Sequence, residues 1–148
     1  MSEPIVKQLR VHLDDRGYLS EILRSDDPEF IKFGQVYLST TTPGTIKAFH
    51  RHFKKTDHIT CVTGQVKLVV IDAPDGEPVK TYEYHLSPMA PKLITIPPGL
   101  WHGWQAVGSI EAILISVTTE PHNDLEKDEE RVAAIDNPFG YKWGVKHG

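Results

Sequence analysis

A chain of 148 residues with a formal charge of −4 is long enough to bury one hydrophobic core without disulfide or metal staples. Its 24% charged and 39% hydrophobic residues exclude a disordered chain, and the acidic balance excludes nucleic acid as a bulk electrostatic partner. Cys61 is the single cysteine, which rules out an internal disulfide and fits a reducing, cytoplasmic setting. Met1-Ser2-Glu3-Pro4 lacks the basic-then-apolar pattern of a secretory signal. No apolar run approaches the roughly 20 residues of a membrane span, so no membrane partner is expected. Residues 1–148 read as a single domain.

Residues 5–13 alternate loosely between apolar and polar and read as a strand. Asp14-Asp15-Arg16-Gly17 is a turn, followed by a strand over 18–23. Over 34–41, Val36 and Leu38 fall on one face while Gln35, Tyr37 and Ser39 fall on the other. Pro43-Gly44 breaks that strand and 45–52 resumes it. Two β-rich runs, 58–63 and 65–72, meet at Gly64, where a tight connection is expected. Ala73-Pro74-Asp75-Gly76 is a turn; 79–86 and 92–96 are strands, the second ending at Pro97-Pro98-Gly99. Residues 110–118 are almost continuously apolar, as a strand buried on both faces would be. Residues 123–134 read as a short C-terminal helix whose acidic run forms a solvated face. Short strands, Gly/Pro turns and one helix give an all-β class, sandwich or barrel.

Chemistry concentrates in two stretches. The first is Gly44-x5-His50-x-His52-x4-Asp57-x6-Gly64, and the second is Pro97-x-Gly99-x2-His102. At the strand period of two, His50 and His52 share a face and Arg51 points away. His58, next to Asp57, falls on the opposite face from it. A third imidazole after a Pro-Gly turn makes a polar pocket the expected outcome.

These stretches resemble the two cupin motifs, with Asp57 in place of the usual glutamate and Ala106 in place of the later asparagine. The resemblance implies a cupin double-stranded β-helix, a jelly-roll barrel with the pocket in its mouth. A fuller resemblance spans almost the whole chain. Asp14 to Glu21, Phe33-Gly34-Gln35, Gly44 to His50, Ile96 to Trp104 and Asp136-Asn137-Pro138 with Trp143 are similar to blocks of the dTDP-4-dehydrorhamnose 3,5-epimerase family, in the same order. That family implies an epimerase acting on a nucleotide-linked 4-keto-6-deoxy sugar in polysaccharide biosynthesis, and a homodimer whose N-terminal segments cross between subunits. By the resemblance His50 is the general base, Asp136 the carboxylate that orients it, and His102 a donor to the enolate or a support for His50. Arg16, Gln35, Lys47 and His52 fall at substrate-binding places.

Three positions depart from the family. Ile115 and Ser116 stand nearest the place of its tyrosine acid, Asp57 near that of its enolate-stabilising lysine, and Lys47 replaces an arginine. The His50-x-His52 pair resembles instead the dTDP-4-keto-6-deoxyglucose 3,4-ketoisomerases, which move a proton with paired histidines. No cofactor is required on the epimerase or isomerase reading. Two alternatives stay open: a metal cupin holding a divalent cation with His50, His52, Asp57 and His102, and a non-catalytic module that binds sugar nucleotides.

Overall fold

The computed structural model describes residues 3–148. The regular elements there are all strands: β1 (Ile5–Gln8), β2 (His12–Asp14), β3 (Gly17–Leu19), β4 (Gln35–Thr41), β5 (Ile46–Arg51), β6 (Asp57–Thr63), β7 (Val66–Asp72), β8 (Lys80–Leu86), β9 (Lys92–Ile96), β10 (Trp101–Ala106), β11 (Ala112–Thr118) and β12 (Glu130–Arg131). One antiparallel sheet has the order β1-β9-β6-β11-β4 and the other β12-β5-β10-β7-β8, while β2 and β3 form a separate hairpin. From β4 onward each connection carries the chain from one sheet to the other, except the β7–β8 hairpin. The all-β expectation holds, and the strands form two facing sheets that stay open. Their edges are β1 and β4 in one sheet and β12 and β8 in the other, with no ladder joining them among the described residues.

Gly64 shows how a sheet change is made. It joins β6 of one sheet to β7 of the other, so it is a corner and not the turn of a hairpin. Its φ is +76°, and a Cβ there would lie 2.6 Å from the Glu111 carbonyl oxygen, so glycine is required both for conformation and for space.

The side-chain alternation of β7 separates two hydrophobic layers. Val66, Leu68 and Val70 face inward and meet Ile59, Cys61, Ile94, Ile96, Leu114 and Trp104 between the sheets. Val69 and Ile71 face the other way and pack with Phe49 and Trp101 under Phe139, Tyr141 and Trp143 of the C-terminal tail. The tail therefore roofs the outer face of the second sheet. This explains why β7 is buried along nearly its whole length although an antiparallel sheet usually has one wet face.

The expected helix over 123–134 does not form. Its apolar residues make no stripe at helical spacing, and Leu125 is 94% exposed, so a helix would have had no face to bury. Extended backbone instead completes a sheet edge. Phe49 and Val132 exchange backbone hydrogen bonds of 3.1 and 3.0 Å, and β12 pairs with β5 through Glu130 opposite Arg51 and Arg131 opposite His50. The Arg51 guanidinium holds the Glu130 carboxylate at 2.6 Å across that edge.

The strand β10, hidden in the sequence by its mixed composition, lies at the centre of the second sheet between β5 and β7. Its register places His102 directly across from His50, with an irregularity between His102 and Trp104. There Gly103 lies against β5 so closely that a Cβ would fall 2.3 Å from the Ala48 Cβ and 2.6 Å from the Lys47 carbonyl oxygen. Gly103→Ala should therefore force the two strands apart and cost about 2 kcal/mol, read as a lowered urea midpoint with an unchanged slope.

Candidate active site

The two sheets part at the β4 and β5 end to leave a cavity of about 700 Å³, within the range of small-molecule sites. Gln35, Tyr37 and Ser39 of β4 line one wall, and His50 with Lys47 of β5 lines the other. Residues 121–132 cross over the opening and supply further lining from His122 to Val132. Gln35 is tied to that segment, its side-chain oxygen accepting the backbone N–H of His122 at 2.9 Å.

Three imidazoles meet at the inner end of this cavity. The His50 ring centroid lies 4.2 Å from that of His102 and 5.4 Å from that of His52. One side-chain atom from each of His50, His52, His102 and Asp57 falls within 4.8 Å of the others. His52 and His102 are fixed by carbonyl groups, which only accept, so the ring nitrogen in each contact must donate. His52 Nδ1 donates to the Asp128 carbonyl at 2.8 Å, and His102 Nδ1 donates to the Leu100 carbonyl at 3.0 Å. In the neutral rings both Nε2 atoms are then unprotonated.

Beneath them lies Asp57, 1% exposed, with neither carboxylate oxygen hydrogen-bonded. Its Oδ2 faces His102 Nε2 at 3.5 Å. Two acceptors facing each other in a dry site repel until a proton or a cation stands between them. The site is thus arranged to hold positive charge.

Burial, reinforced by the neighbouring His102, His52, Arg131 and Lys55, holds His50 far below the ordinary histidine range. Burial lowers His52 as well, against the raising effect of its bond to Asp128. Both rings are therefore neutral near pH 7, with a lone pair available for a proton or a metal. The Asp128 carboxylate accepts the backbone N–H groups of Phe53, Lys54 and Lys55 at 2.9 to 3.1 Å. Burial pushes that carboxylate up, but these bonds together keep it below the usual range. Its carbonyl and side chain thus clamp the loop that follows β5 and aim His52.

The model of the family described as polysaccharide biosynthesis C-terminal domain matches residues 12–141. The chain belongs to this family. It is similar to the spore coat polysaccharide biosynthesis protein SpsL of Bacillus subtilis (strain 168), 35% identical over 143 residues and 95% of each chain. It is 32% identical over 148 residues to the probable low-salt glycan biosynthesis epimerase Agl13 of Haloferax volcanii, over 97% of this chain and 95% of that one. Among solved structures, a dTDP sugar isomerase from Desulfovibrio desulfuricans G20 matches with a TM-score of 0.87 at 30% identity, covering 97% of this chain and 92% of that one. The likeness to sugar-nucleotide epimerases drawn from the sequence blocks accordingly stands.

Within this member of the family the fold brings together His50, His52, His102 and Asp57, with Gln35 and Lys47 on the walls. Lys47 reaches back to β4, its Nζ donating to the Thr40 carbonyl at 2.6 Å. Two expected site residues lie elsewhere. Asp136 is exposed, has a φ of 55°, and neither lines the cavity nor hydrogen-bonds His50. The reason is local. The Asn137 side chain bonds the backbone of Ala134, Phe139 and Tyr141, turning the chain into the tail that roofs the outer face of the sheet, while His50 points to the inner face. The carboxylate that meets the histidines is Asp57. Arg16 sits at the tip of the β2–β3 hairpin, its guanidinium held by Asp14 of the same turn and outside this chain's cavity.

Sequence reasoning also missed residues that line the site. Lys55 is 7% exposed on the cavity wall, near enough to bear on His50 and His52. Lys127, Glu129 and Arg131 line the cavity from a run that read as a solvated helix face. Only tertiary contact could have placed them. His58 turns to the opposite face of β6, where its Nδ1 and the Thr95 hydroxyl are 2.7 Å apart.

Neutral burial has a consequence for stability. His50, His52 and His58 are all lowered, chiefly by burial, so the unfolded chain binds protons that the folded chain refuses. Their contribution is complete above the unfolded histidine value of about 6.5 and is lost as pH falls below it. Thermal unfolding should therefore move to lower temperature between about pH 7 and pH 5, with the drop diminished in His58→Asn, which leaves the cavity untouched.

Proposed function

We propose that this protein is an epimerase or isomerase of a nucleotide-linked 4-keto-6-deoxy sugar and that His50 is the base that removes a proton beside the ketone. The observation that carries the reading is a neutral imidazole on the wall of a sugar-sized cavity, backed by His102 and a buried carboxylate. The names of its relatives, a glycan biosynthesis epimerase and a dTDP sugar isomerase, support the substrate class.

The chemistry follows from the groups present. A proton on a carbon next to a ketone is removable because the electron pair left behind spreads onto the ketone oxygen. His50 takes that proton on its free ring nitrogen. The charge that appears on the histidine cluster is offset by Asp57, which has no other partner. The ammonium of Lys55 on the same wall is suited to the developing enolate oxygen. Gln35, Lys47 and His52 position the sugar and its phosphates. In this role Asp57 with His102 replaces Asp136 as the acidic support of the base.

The resemblance also points to a homodimer, and the exposed surface supports one. The β2–β3 hairpin carries Leu13, 77% exposed, with Tyr18 and Leu19, and the edge strand β4 presents Val36 and Leu38 outward. An isolated two-stranded hairpin with an apolar face is marginal in water. A second copy covering it would carry Arg16 toward the neighbouring cavity. No helix among the described residues is long and apolar enough to cross a membrane. The lone thiol of Cys61 and a nucleotide-linked substrate fit a cytoplasmic enzyme.

Incubation with dTDP-4-keto-6-deoxyglucose in deuterated buffer should place deuterium next to the ketone, seen by NMR. His50→Asn should slow that exchange at least about 100-fold, the usual effect of losing a positioned base. Binding without exchange in the wild type would favour a non-catalytic module.

A second reading rests on the same unpartnered carboxylate. His50, His52, His102 and Asp57 offer nitrogen and oxygen donors that suit a divalent first-row metal. Such an ion would supply a Lewis acid for the ketone oxygen. Metal analysis of the purified protein separates the readings: equimolar metal that falls away in His52→Ala supports the metal site, and full activity of metal-free protein supports the base.

A further inference from the structure

We infer that Tyr37, on the wall opposite His50, is the proton donor of the reaction and returns a proton to the carbon that His50 deprotonates, from the other side, so that this carbon is inverted. The inference rests on the proposed sugar-nucleotide chemistry and assigns it a second catalytic residue.

On the face of β11 that turns toward the other sheet, Ser116 is buried and Thr118 lines the cavity, and an aliphatic hydroxyl is too weak an acid to protonate carbon efficiently. The neighbouring strand supplies what is missing. In the β4–β11 register Tyr37 pairs directly with Ser116, and paired side chains in such a ladder start about 5 Å apart. The Tyr37 phenol thus rises beside the Ser116 hydroxyl, with the charge of Asp57 near enough to bear on it. Tyr37 is 38% exposed where the cavity opens, and its surroundings raise the phenol above its ordinary value, so it carries its proton throughout the neutral range. Of the five tyrosines in the chain, Tyr37 is the one on the lining of this cavity among the described residues.

Opposition is the second element. His50 belongs to β5 in one sheet and Tyr37 to β4 in the other. The two strands leave the same Thr42–Thr45 turn, closed by a backbone bond of 3.0 Å. Each group lies four residues along its strand from that turn, Thr41 back to Tyr37 and Ile46 on to His50. They therefore stand at similar depth on facing walls. A flat enolate between them is open to His50 on one side and to Tyr37 on the other.

The step balances as follows. The C–H bond beside the ketone breaks, its proton goes to the His50 ring nitrogen, and the electron pair passes to the ketone oxygen through a new C=C bond. That pair then returns to form a C–H bond on the opposite side, taking the proton of the Tyr37 hydroxyl. His50 is left protonated and Tyr37 as phenolate, and exchange with water restores both. The carbon is inverted and the ketone has not moved.

The test follows both events in deuterated buffer with dTDP-4-keto-6-deoxyglucose. Wild-type protein should incorporate deuterium and invert the same carbon. Tyr37→Phe should still incorporate deuterium, with configuration retained, while inversion falls at least about 100-fold. That persistent exchange is also the proof that the variant is folded with His50 in place; a merely structural role would lower both rates together. Inversion by Tyr37→Phe within about threefold of wild type, an equal loss of exchange and inversion, or a wild-type product with the ketone moved would overturn the inference and leave the isomerase reading standing. Wild-type protein that exchanges no proton would overturn both.

Discussion

The pairing of β5 with β10 is the constraint on which the rest of the molecule depends. It sets His50 directly across from His102, and it holds only because Gly103 lets the two backbones approach to where any side chain would collide with Ala48 and Lys47. Cross-strand neighbours in an antiparallel ladder are the closest side-chain pairs a sheet can make, so two imidazoles come into contact with no loop needed to deliver either. A pair of side chains on paired strands is held more rigidly than one on a loop.

Around that pairing the protein keeps the site dry on one side and open on the other. The tail from Asn137 to Trp143 covers the outer face of the sheet and completes a second hydrophobic layer. The strands β10 and β7 are thereby buried from both sides, and their backbone bonds lie in low dielectric, where they are strongest. The segment before the tail does the opposite work. It crosses the cavity mouth, clamps the loop after β5 through Asp128, and brings Arg131 and Lys127 to the lining.

The electrostatics of the site follow from burial more than from sign. His50 and His52 are neutral because charging them would leave a cation stripped of water near the ammonium of Lys55. Asp57 is a buried carboxylate with no donor of its own, facing a ring nitrogen that the Leu100 carbonyl has left unprotonated. Unbonded acceptors converging on one point are costly to a resting fold and useful to a reaction that generates a proton. They are the part of the structure least explained by stability and best explained by chemistry.

Strand periodicity made much of this legible from residues alone. The alternation of Gln35, Tyr37 and Ser39, the shared face of His50 and His52, and the imidazole after Pro97-Pro98-Gly99 are local facts, because a strand puts every second side chain on one face whatever lies around it. Periodicity does not say which strand lies across from which. It therefore could not pair Tyr37 with Ser116, set β4 against β5 across a cavity, or bring Asp57 beneath His102. Composition misread residues 123–134 as a helix, where the chain instead completes the open edge of β5. The family resemblance, not periodicity, set Asp136 beside His50, and the Asn137 turn carries it to the other side of the sheet. The amino-acid sequence by itself determined the strand class and the inward-facing histidines, because those depend on neighbours along the chain. The tertiary structure alone decided the carboxylate beneath the histidines, the opposing wall and the lining of the mouth, because those depend on contacts between residues far apart in sequence.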